Sequence, residues 1–205
     1  MRKPSDEELV DWKKKDDHYA KMILKMSGAR ALEGEPGFLA LERTGSRPTL
    51  DANGILGGFT GDGEKTVIAA RAMAKVSMRL VPDQDWKKIF AALEKYVQTL
   101  TTPGVEIKVK LLGSAPPVVC DVNHAAADAL RAAYSEAFGR ETALVRVGGS
   151  IPVSVDFQQA IGAPLMISGI PQADDAVHSP NEKLSIDHYH RGIEAVIRFI
   201  CKLGE

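Results

Sequence analysis

The chain has 205 residues, of which 26 are Lys or Arg and 27 are Asp or Glu, so its formal net charge is −1 at pH 7. Hydrophobic residues make up 44% and charged residues 26%, which is usual for a soluble globular protein. The balanced charge argues against a nucleic-acid-binding protein, because such proteins usually carry a basic excess or a basic stripe. A chain of this length is expected to bury roughly 70% of its unfolded surface.

The chain has two cysteines, Cys120 and Cys201, too few for a disulfide framework or a cysteine-rich zinc site. Both are expected to be small buried residues rather than nucleophiles. No run approaches the roughly 18 apolar residues of a membrane span, and the N-terminal stretch lacks the apolar core of a signal peptide. The sequence therefore predicts a protein of the reducing cytoplasm with no membrane partner.

The first half predicts helix and loop, followed by strand, helix and strand. Ser5 to Glu8 form a capping-box pattern, and the helix that follows is expected to end at Gly28, with Asp16 interrupting its apolar stripe. Residues 29–65 are rich in glycine and predict loops and short extended pieces.

Regular alternation of apolar and polar residues over 72–80 predicts a strand with one apolar face, ended by Pro82. A helix capped by Asp83 or Asp85 and a second half-exposed strand over 105–111 follow. This order favours an α+β sandwich, with an antiparallel sheet and helices on one of its faces.

Residues 113–117 predict a domain joint, beyond which the pattern becomes α/β. A helix capped by Asn123 and closed by Gly139, a helix from Pro152 to Gly162, and short buried strands at 142–145 and 165–167 are expected. The last helix begins at Ser185 or Asp187 and is expected to turn five residues inward: Tyr189, Ile193, Val196, Ile200 and Leu203.

Two loops are candidate binding or catalytic sites, whereas a third, glycine-rich loop is not. The glycine-rich stretch before Thr66 is not a phosphate loop, because Glu64 separates Gly63 from Lys65 and would repel phosphate. The loop from Arg146 into the next helix offers backbone N–H groups to an anion, although a plain tight turn explains its glycines equally well.

His178 follows a predicted buried strand, where ligands of open α/β sheets gather, and its imidazole could bind a metal. A lone histidine is more often structural, and no second ligand stands at a standard spacing, although Asp174 and Asp175 are nearby candidates. His188 and His190 are expected to face solvent. These residues alone assign no nucleophile and no catalytic triad.

Five motifs in chain order resemble one family. They read RPTL with NGI, a glycine-rich loop into KTVI, RLVP, GGSIP and HSPNEK, and they begin at residues 47, 65, 79, 148 and 178. The chain is similar to the dinuclear zinc metallopeptidase family of carnosinase, aminoacylase and acetylornithine deacetylase, on its carnosinase-like dipeptidase branch.

The resemblance implies a zinc-binding catalytic domain interrupted by a dimerisation domain, the lid. Residues 1–112 would be part of this α+β lid, an antiparallel sheet with helices on one face. Residues 113–205 would be the C-terminal α/β part of the catalytic domain. A homodimer formed through the lid and a dipeptide-like small substrate are also implied.

Site residues follow from the same resemblance. His178 matches a histidine that binds one of the two zinc ions. The residues that match substrate contacts or lie beside them are Thr66, Arg79, His124, Arg146, Gly149 and Ser150. Arg79 would hold the substrate carboxylate with its guanidinium fork. Val147 stands where the family usually has Glu, which removes a charge beside the substrate loop.

The larger departure is what lies outside the chain. The other zinc ligands and the glutamate general base of the family would lie upstream, in an N-terminal half that this chain lacks. Because a catalytic zinc needs about three protein ligands, the chain alone is expected to contain no catalytic residue and to be inactive. A companion chain carrying that half could restore activity. The alternative is a non-enzymatic dimerisation or binding module with an exposed apolar sheet edge or face.

Overall fold

The computed structural model describes residues 1–148 and 151–204, which form six helices and two strands. In chain order these are α1 (Asp6–Ser27), α2 (Ala40–Gly45), β1 (Thr49–Gly57), β2 (Ala72–Arg79), α3 (Trp86–Gln98), α4 (Ala125–Phe138), α5 (Val153–Ile161) and α6 (Ile186–Leu203).

Helix α1 begins and ends where the sequence predicts. The Ser5 hydroxyl accepts a hydrogen bond from the Glu8 N–H at 3.2 Å, and the Glu8 carboxylate accepts one from the Ser5 N–H at 2.7 Å. This reciprocal pair satisfies two N–H groups that a helix start leaves unpaired. Gly28 ends the helix with φ +66°, a backbone conformation that glycine adopts without a Cβ clash.

The stretch 29–65 is more regular than its sequence predicts, because it contains α2 and β1. Helix α2 is held against α1 by two side-chain hydrogen bonds. The Leu41 N–H donates to Asp16 Oδ1 at 3.0 Å, and the Tyr19 hydroxyl donates to Thr44 Oγ1 at 3.0 Å. A helix this short is not stable by itself and takes its stability from tertiary contacts. Asp16, which interrupts the apolar stripe of α1, therefore accepts a hydrogen bond from the first turn of α2.

Strands β1 and β2 pair antiparallel along their lengths, with a β-bulge between Ala52 and Gly54. The strand predicted at 72–80 is confirmed. The register collects apolar residues of both strands on one face: Leu50, Ala52, Ile55, Ala74, Val76 and Met78. This face is not covered, since Ile55 is 81% exposed and Val76 is 45% exposed. The exposed apolar sheet face expected of a truncated lid is therefore present.

Helix α3 resolves the choice between two predicted caps. The Asp85 carboxylate accepts a hydrogen bond from the Lys87 N–H at 2.8 Å, whereas Asp83 has φ +67° and pairs with Arg2 at 3.2 Å. No α3 residue is buried, so the helix leaves the sheet largely uncovered. The strand predicted over 105–111 was wrong, because no described strand hydrogen-bonds to this segment.

Helices α4 and α6 pack together through small side chains. Their buried residues are Ala126, Ala127, Ala133 and Ala137 of α4 and Gly192 and Ala195 of α6. At the edge of this contact, the Glu136 carboxylate pairs with Arg198 and Lys202 at 2.8 Å each. The strands predicted at 142–145 and 165–167 were wrong, since the described part of the chain supplies no neighbouring strand to either.

Helix α6 begins after Ser185, one of its two predicted starts, but it presents a neighbouring face to the core. Ala195 is fully buried, whereas Ile200 of the predicted inward stripe is 62% exposed. All five residues of that stripe are exposed. The apolar stripe is real, but α4 packs on the small residues beside it. The large apolar side chains consequently form a second uncovered surface.

The accessible surface shows how much of the chain is uncovered. It measures 15482 Å², against about 9,300 Å² expected for a compact monomer of the same mass. Against an unfolded surface of about 32,000 Å², folding buries about half rather than the predicted 70%. The prediction was wrong because large apolar side chains along much of the described chain, those of the two apolar faces among them, are exposed.

Three smaller features complete the fold. None of the described helices combines the length and hydropathy required to cross a bilayer. Cys201 is exposed and Cys120 is half-buried, so the expectation that both are buried was wrong. His188 is also less exposed than expected: its Nδ1 lies 3.2 Å from the Ile170 carbonyl oxygen.

Candidate functional site

Arg146, expected beside the substrate, is already bound within the chain. Its Nε and Nη2 atoms donate to the two Glu8 carboxylate oxygens at 2.8 and 2.7 Å, and its guanidinium carbon lies 6.0 Å from the centroid of the Trp12 ring. This fork connects α1 to a loop 138 residues away. Arg146 therefore anchors the loop in this structure, and its guanidinium is not free to hold a substrate.

The contact with Arg146 also affects the pKa of Glu8. Burial by itself raises the pKa of this carboxyl, but the hydrogen bonds from Arg146 and Ser5, together with the guanidinium charge, hold it below its ordinary value. The carboxylate serves two partners at once, the start of α1 and the arginine of the loop. One side chain thus couples helix capping to the position of the loop.

The loop also approaches α2 too closely for any side chain. A Cβ on Gly148 would lie 2.4 Å from the Thr44 carbonyl oxygen, and a Cβ on Gly45 would lie 2.7 Å from the Arg146 carbonyl oxygen. Both neighbours are backbone atoms, which cannot rotate away. The glycine at 148 is therefore required by packing, which favours the tight-turn interpretation. Gly149 and Ser150 lie outside the described residues.

His178 lies in a loop of unusual backbone geometry. It is exposed and has φ +62°, and Ala176 and Asn181 nearby also have positive φ, at +56° and +63°. Left-handed conformations of non-glycine residues are costly, and they cluster at functional sites. A bound ion or ligand could reach the imidazole directly, because the side chain is exposed to solvent.

His124 is a capping residue. Its Nδ1 accepts a hydrogen bond from the Ala126 N–H at 3.1 Å, so His124 and not Asn123 is the N-cap of α4. The bond fixes the neutral ring as the tautomer with its proton on Nε2. Nε2 therefore remains the outward-facing donor of this imidazole.

Thr66 and Arg79 lie in the first half of the chain and are exposed. Arg79 is the last residue of β2, opposite Thr49. Among the residues that the structure describes, no ion pair or hydrogen bond engages the Arg79 guanidinium. Its fork is therefore available for an anion.

The structure does not join the predicted site residues to one another. No hydrogen bond or ion pair within 1–148 and 151–204 connects two of them, and no group of three His, Cys, Asp or Glu in these ranges could hold a metal ion. Two surface depressions lie elsewhere. The smaller, about 230 Å³, lies between the sheet and α3 and is lined by Leu50, Met78 and Ile89 among others. The described residues alone do not fit a catalytic zinc.

Sequence reasoning missed two residues that organise these loops. Glu8 carried a signal as the third helical residue of a capping box, but nothing local indicates its second partner. Asp175 was considered only as a possible metal ligand, yet it is 1% exposed and binds backbone. The sequence of a polar loop does not indicate which of its acidic residues is buried.

The chain matches the model of peptidase family M20/M25/M40 over residues 12–202. It is 31% identical over 162 residues to Cys-Gly metallodipeptidase DUG1 of Saccharomyces cerevisiae, covering 77% of this chain and 34% of the relative. It is 26% identical over 161 residues to human Beta-Ala-His dipeptidase, covering 77% and 32%. The chain thus spans about a third of the length of these curated relatives.

A solved structure shares the fold. The M20 family metallo-carboxypeptidase Sso-CP2 from Sulfolobus solfataricus superposes with a TM-score of 0.80 at 28% identity. The match covers 98% of this chain and 46% of that one. The arrangement of helices and strands described above is therefore the arrangement of one portion of an M20 peptidase.

Proposed function

This chain belongs to peptidase family M20/M25/M40, and we propose that it is the C-terminal portion of a zinc-dependent, dipeptidase-type metallopeptidase. Residues 1–112 would form part of the lid, and residues 113–205 would form part of the catalytic domain. The observation that carries this proposal is the family match over nearly the whole chain, combined with coverage of only a third of the dipeptidase relatives.

The proposed roles follow the resemblance of the motifs, and the exposed side chains of His178, Arg79 and Thr66 are compatible with them. His178 would supply one zinc ligand, and the free guanidinium of Arg79 would hold the substrate carboxylate. Thr66, His124, Gly149 and Ser150 would contact a dipeptide-like substrate. Arg146 would act by fixing the loop through Glu8, as its ion pair indicates. One ligand is too few for a catalytic zinc, so no catalytic step is assigned to this chain alone.

Two uncovered apolar surfaces support an incomplete fold. The stripe of α6 and the apolar face of β1–β2 each expose large side chains in a regular pattern. Soluble proteins rarely leave such patches open without a partner. The partner we propose for α6 is a polypeptide carrying the remaining part of the M20 fold, in a cytoplasmic enzyme.

Activity assays test the proposed incompleteness. The purified chain is expected to hydrolyse neither Cys-Gly nor β-Ala-His when zinc is added, because the general base is outside it. Adding the part of the yeast relative that precedes the matched segment is expected to restore turnover. Hydrolysis by the chain alone, abolished by H178A, would refute the inactivity.

A mutation of α6 tests the companion surface separately. The I200D variant places a carboxylate in the exposed stripe and is expected to abolish restored turnover and binding of the companion segment in gel filtration. H190D, an exposed position on the same helix, is the matched control and is expected to bind normally. Equal binding by both variants would remove α6 from the interface.

The second candidate function is a non-enzymatic dimerisation or binding module, favoured by the uncovered face of the β1–β2 sheet. Light scattering distinguishes it, because a lid-mediated homodimer of this 22.1 kDa chain would be disrupted by V76D. The neighbouring K75D lies on the opposite face of β2 and serves as the control. A wild-type monomer at all concentrations would count against dimerisation by this chain.

A further inference from the structure

The loop 172–183 holds its backbone in a costly shape. Three non-glycine residues within six positions, Ala176, His178 and Asn181, have φ between +56° and +63°. Such a conformation is unfavourable for a residue with a Cβ, and less so for asparagine. Such a loop keeps its shape only where other interactions fix it.

Asp175 supplies the interactions that link the two ends of this loop. Its Oδ2 accepts a hydrogen bond from the Gln172 N–H at 2.6 Å, and its backbone N–H donates to the Gln172 carbonyl oxygen at 3.1 Å. Its own carbonyl oxygen accepts from the Lys183 N–H at 3.0 Å. Asp175 is thus bonded to residues on both sides of His178, and at 1% exposure it is shielded from competing water.

The neighbouring ion pair does not explain the loop. Asp174 pairs with Lys183 at 2.9 Å, but these side chains are 72% and 58% exposed, and exposed pairs contribute little to stability. The hydrogen bond from Lys183 lowers the pKa of Asp174, but the contact is open to solvent. Asp174 is therefore a natural control for Asp175.

Stability alone does not account for Asp175 either. Its Oδ1 is buried without a hydrogen-bond partner among the described residues. An unpaired buried acceptor is unfavourable, and a charged one more so. Such a group in a folded protein requires an explanation other than its contribution to stability.

We propose that Asp175 is the positioning residue of the His178 loop: its buried carboxylate holds it to Gln172, so that its backbone carbonyl oxygen is placed to bind Lys183 and close the left-handed backbone that presents the imidazole. The significance of that imidazole as a zinc ligand rests on the function proposed above. The loop geometry itself does not, because it is fixed within this chain.

Backbone chemical shifts of the full chain test the proposal, since they distinguish left-handed from extended conformations. D175A is expected to move the shifts of Ala176, His178 and Asn181 toward extended values while those of α4 and α6 stay unchanged. D175N, whose amide oxygen can still accept from the Gln172 N–H, is expected to restore them. D174A is expected to leave them as in the wild type. Unchanged left-handed shifts in D175A would overturn the proposal.

Hydrogen exchange of the wild-type chain provides a test that needs no variant. The amides of Gln172 and Lys183 are expected to exchange at least tenfold more slowly than that of the neighbouring Glu182. Equal rates would refute the anchoring contacts even if D175A failed to fold.

A zinc titration separates this proposal from the proposed function. Zinc is expected to shift the imidazole cross-peak of His178 in the wild type and, more weakly, in D175A. If zinc shifts no histidine while the loop measurements hold, His178 fails as a ligand and the role of Asp175 in the loop stands.

Discussion

Removing the charge of Glu8 tests the contact between α1 and the Arg146 loop. In E8Q the amide can still accept a hydrogen bond from the Ser5 N–H, so the start of the helix is retained. The forked interaction with Arg146, at 2.7 and 2.8 Å, loses its charge and one of its two hydrogen bonds, because an amide has only one acceptor oxygen. The variant therefore isolates the ion pair from the cap.

The size of the effect follows from the exposure of the two side chains. Arg146 is 25% exposed and Glu8 is 34% exposed, so the pair lies between a solvated ion pair, worth about 0–1 kcal/mol, and a buried charged hydrogen bond, worth about 1.5–3 kcal/mol. We expect E8Q to lower the free energy of unfolding by about 1 kcal/mol, which is about 2–4 °C in melting temperature for a chain of this size.

The pH dependence has a definite sign. The pKa of Glu8 is held below its ordinary value of 4.5 in the folded chain. The stabilisation is therefore present above pH 4.5 and is lost as the pH falls through the lower folded pKa. The difference between wild type and E8Q in thermal melts should shrink over that acidic range.

Thermal denaturation followed by circular dichroism at pH 7 and in acid measures both effects. The control is D11N, which removes an exposed pair of the same helix, with Lys15 and Asp11 53% and 50% exposed. It is expected to change stability by less than about 0.5 kcal/mol. If E8Q melts like wild type at pH 7, or if its deficit persists unchanged in acid, the ion pair does not stabilise the loop.

Three further outcomes are expected from the same melts. H124A removes the N-cap of α4 and should cost about 1 kcal/mol, whereas H124D should restore most of it; equal melting of H124A and wild type would contradict the cap. G148A should destabilise by about 1–3 kcal/mol because its Cβ meets the Thr44 carbonyl oxygen at 2.4 Å, whereas G113A, where a Cβ meets nothing within 4 Å, should be neutral. Hydrogen bonds from Lys202 and Arg198 of α6 lower the pKa of Glu136. The wild type should therefore lose stability on acidification below about pH 4.5, and E136Q should lose less. Identical acid profiles of the two proteins would contradict this.

Local sequence predicted the helix ends because the groups that cap a helix lie within a few residues of its end. The Ser5–Glu8 box, Asp85, Ser185 and the glycine at 139 all work at that range. The cap of α4 shows the limit, since His124 took the place of Asn123 although both residues are adjacent. Helix α2 was missed because its stabilising partners lie on α1, 25 residues away in sequence.

The family-level prediction succeeded for a different reason. Five motifs in fixed order carry information that no single loop provides, and the family match over residues 12–202 confirmed it. The site assignments remain predictions, because no group of three His, Cys, Asp or Glu among the described residues could hold a metal ion. Arg146 illustrates the difficulty: its motif suggested substrate contact, whereas its nearest acidic partner is Glu8.

The near-neutral charge, the amphipathic periods and the helix ends were thus determined by the sequence itself, through interactions between residues close along the chain. Only the tertiary structure decided which face of α6 is buried, which alternating segments become strands, and which carboxylates hold the loops. Those outcomes depend on partners far away in the sequence. An apolar face is buried only when another surface packs against it. Two such faces, on the sheet and on α6, have no such partner among the described residues.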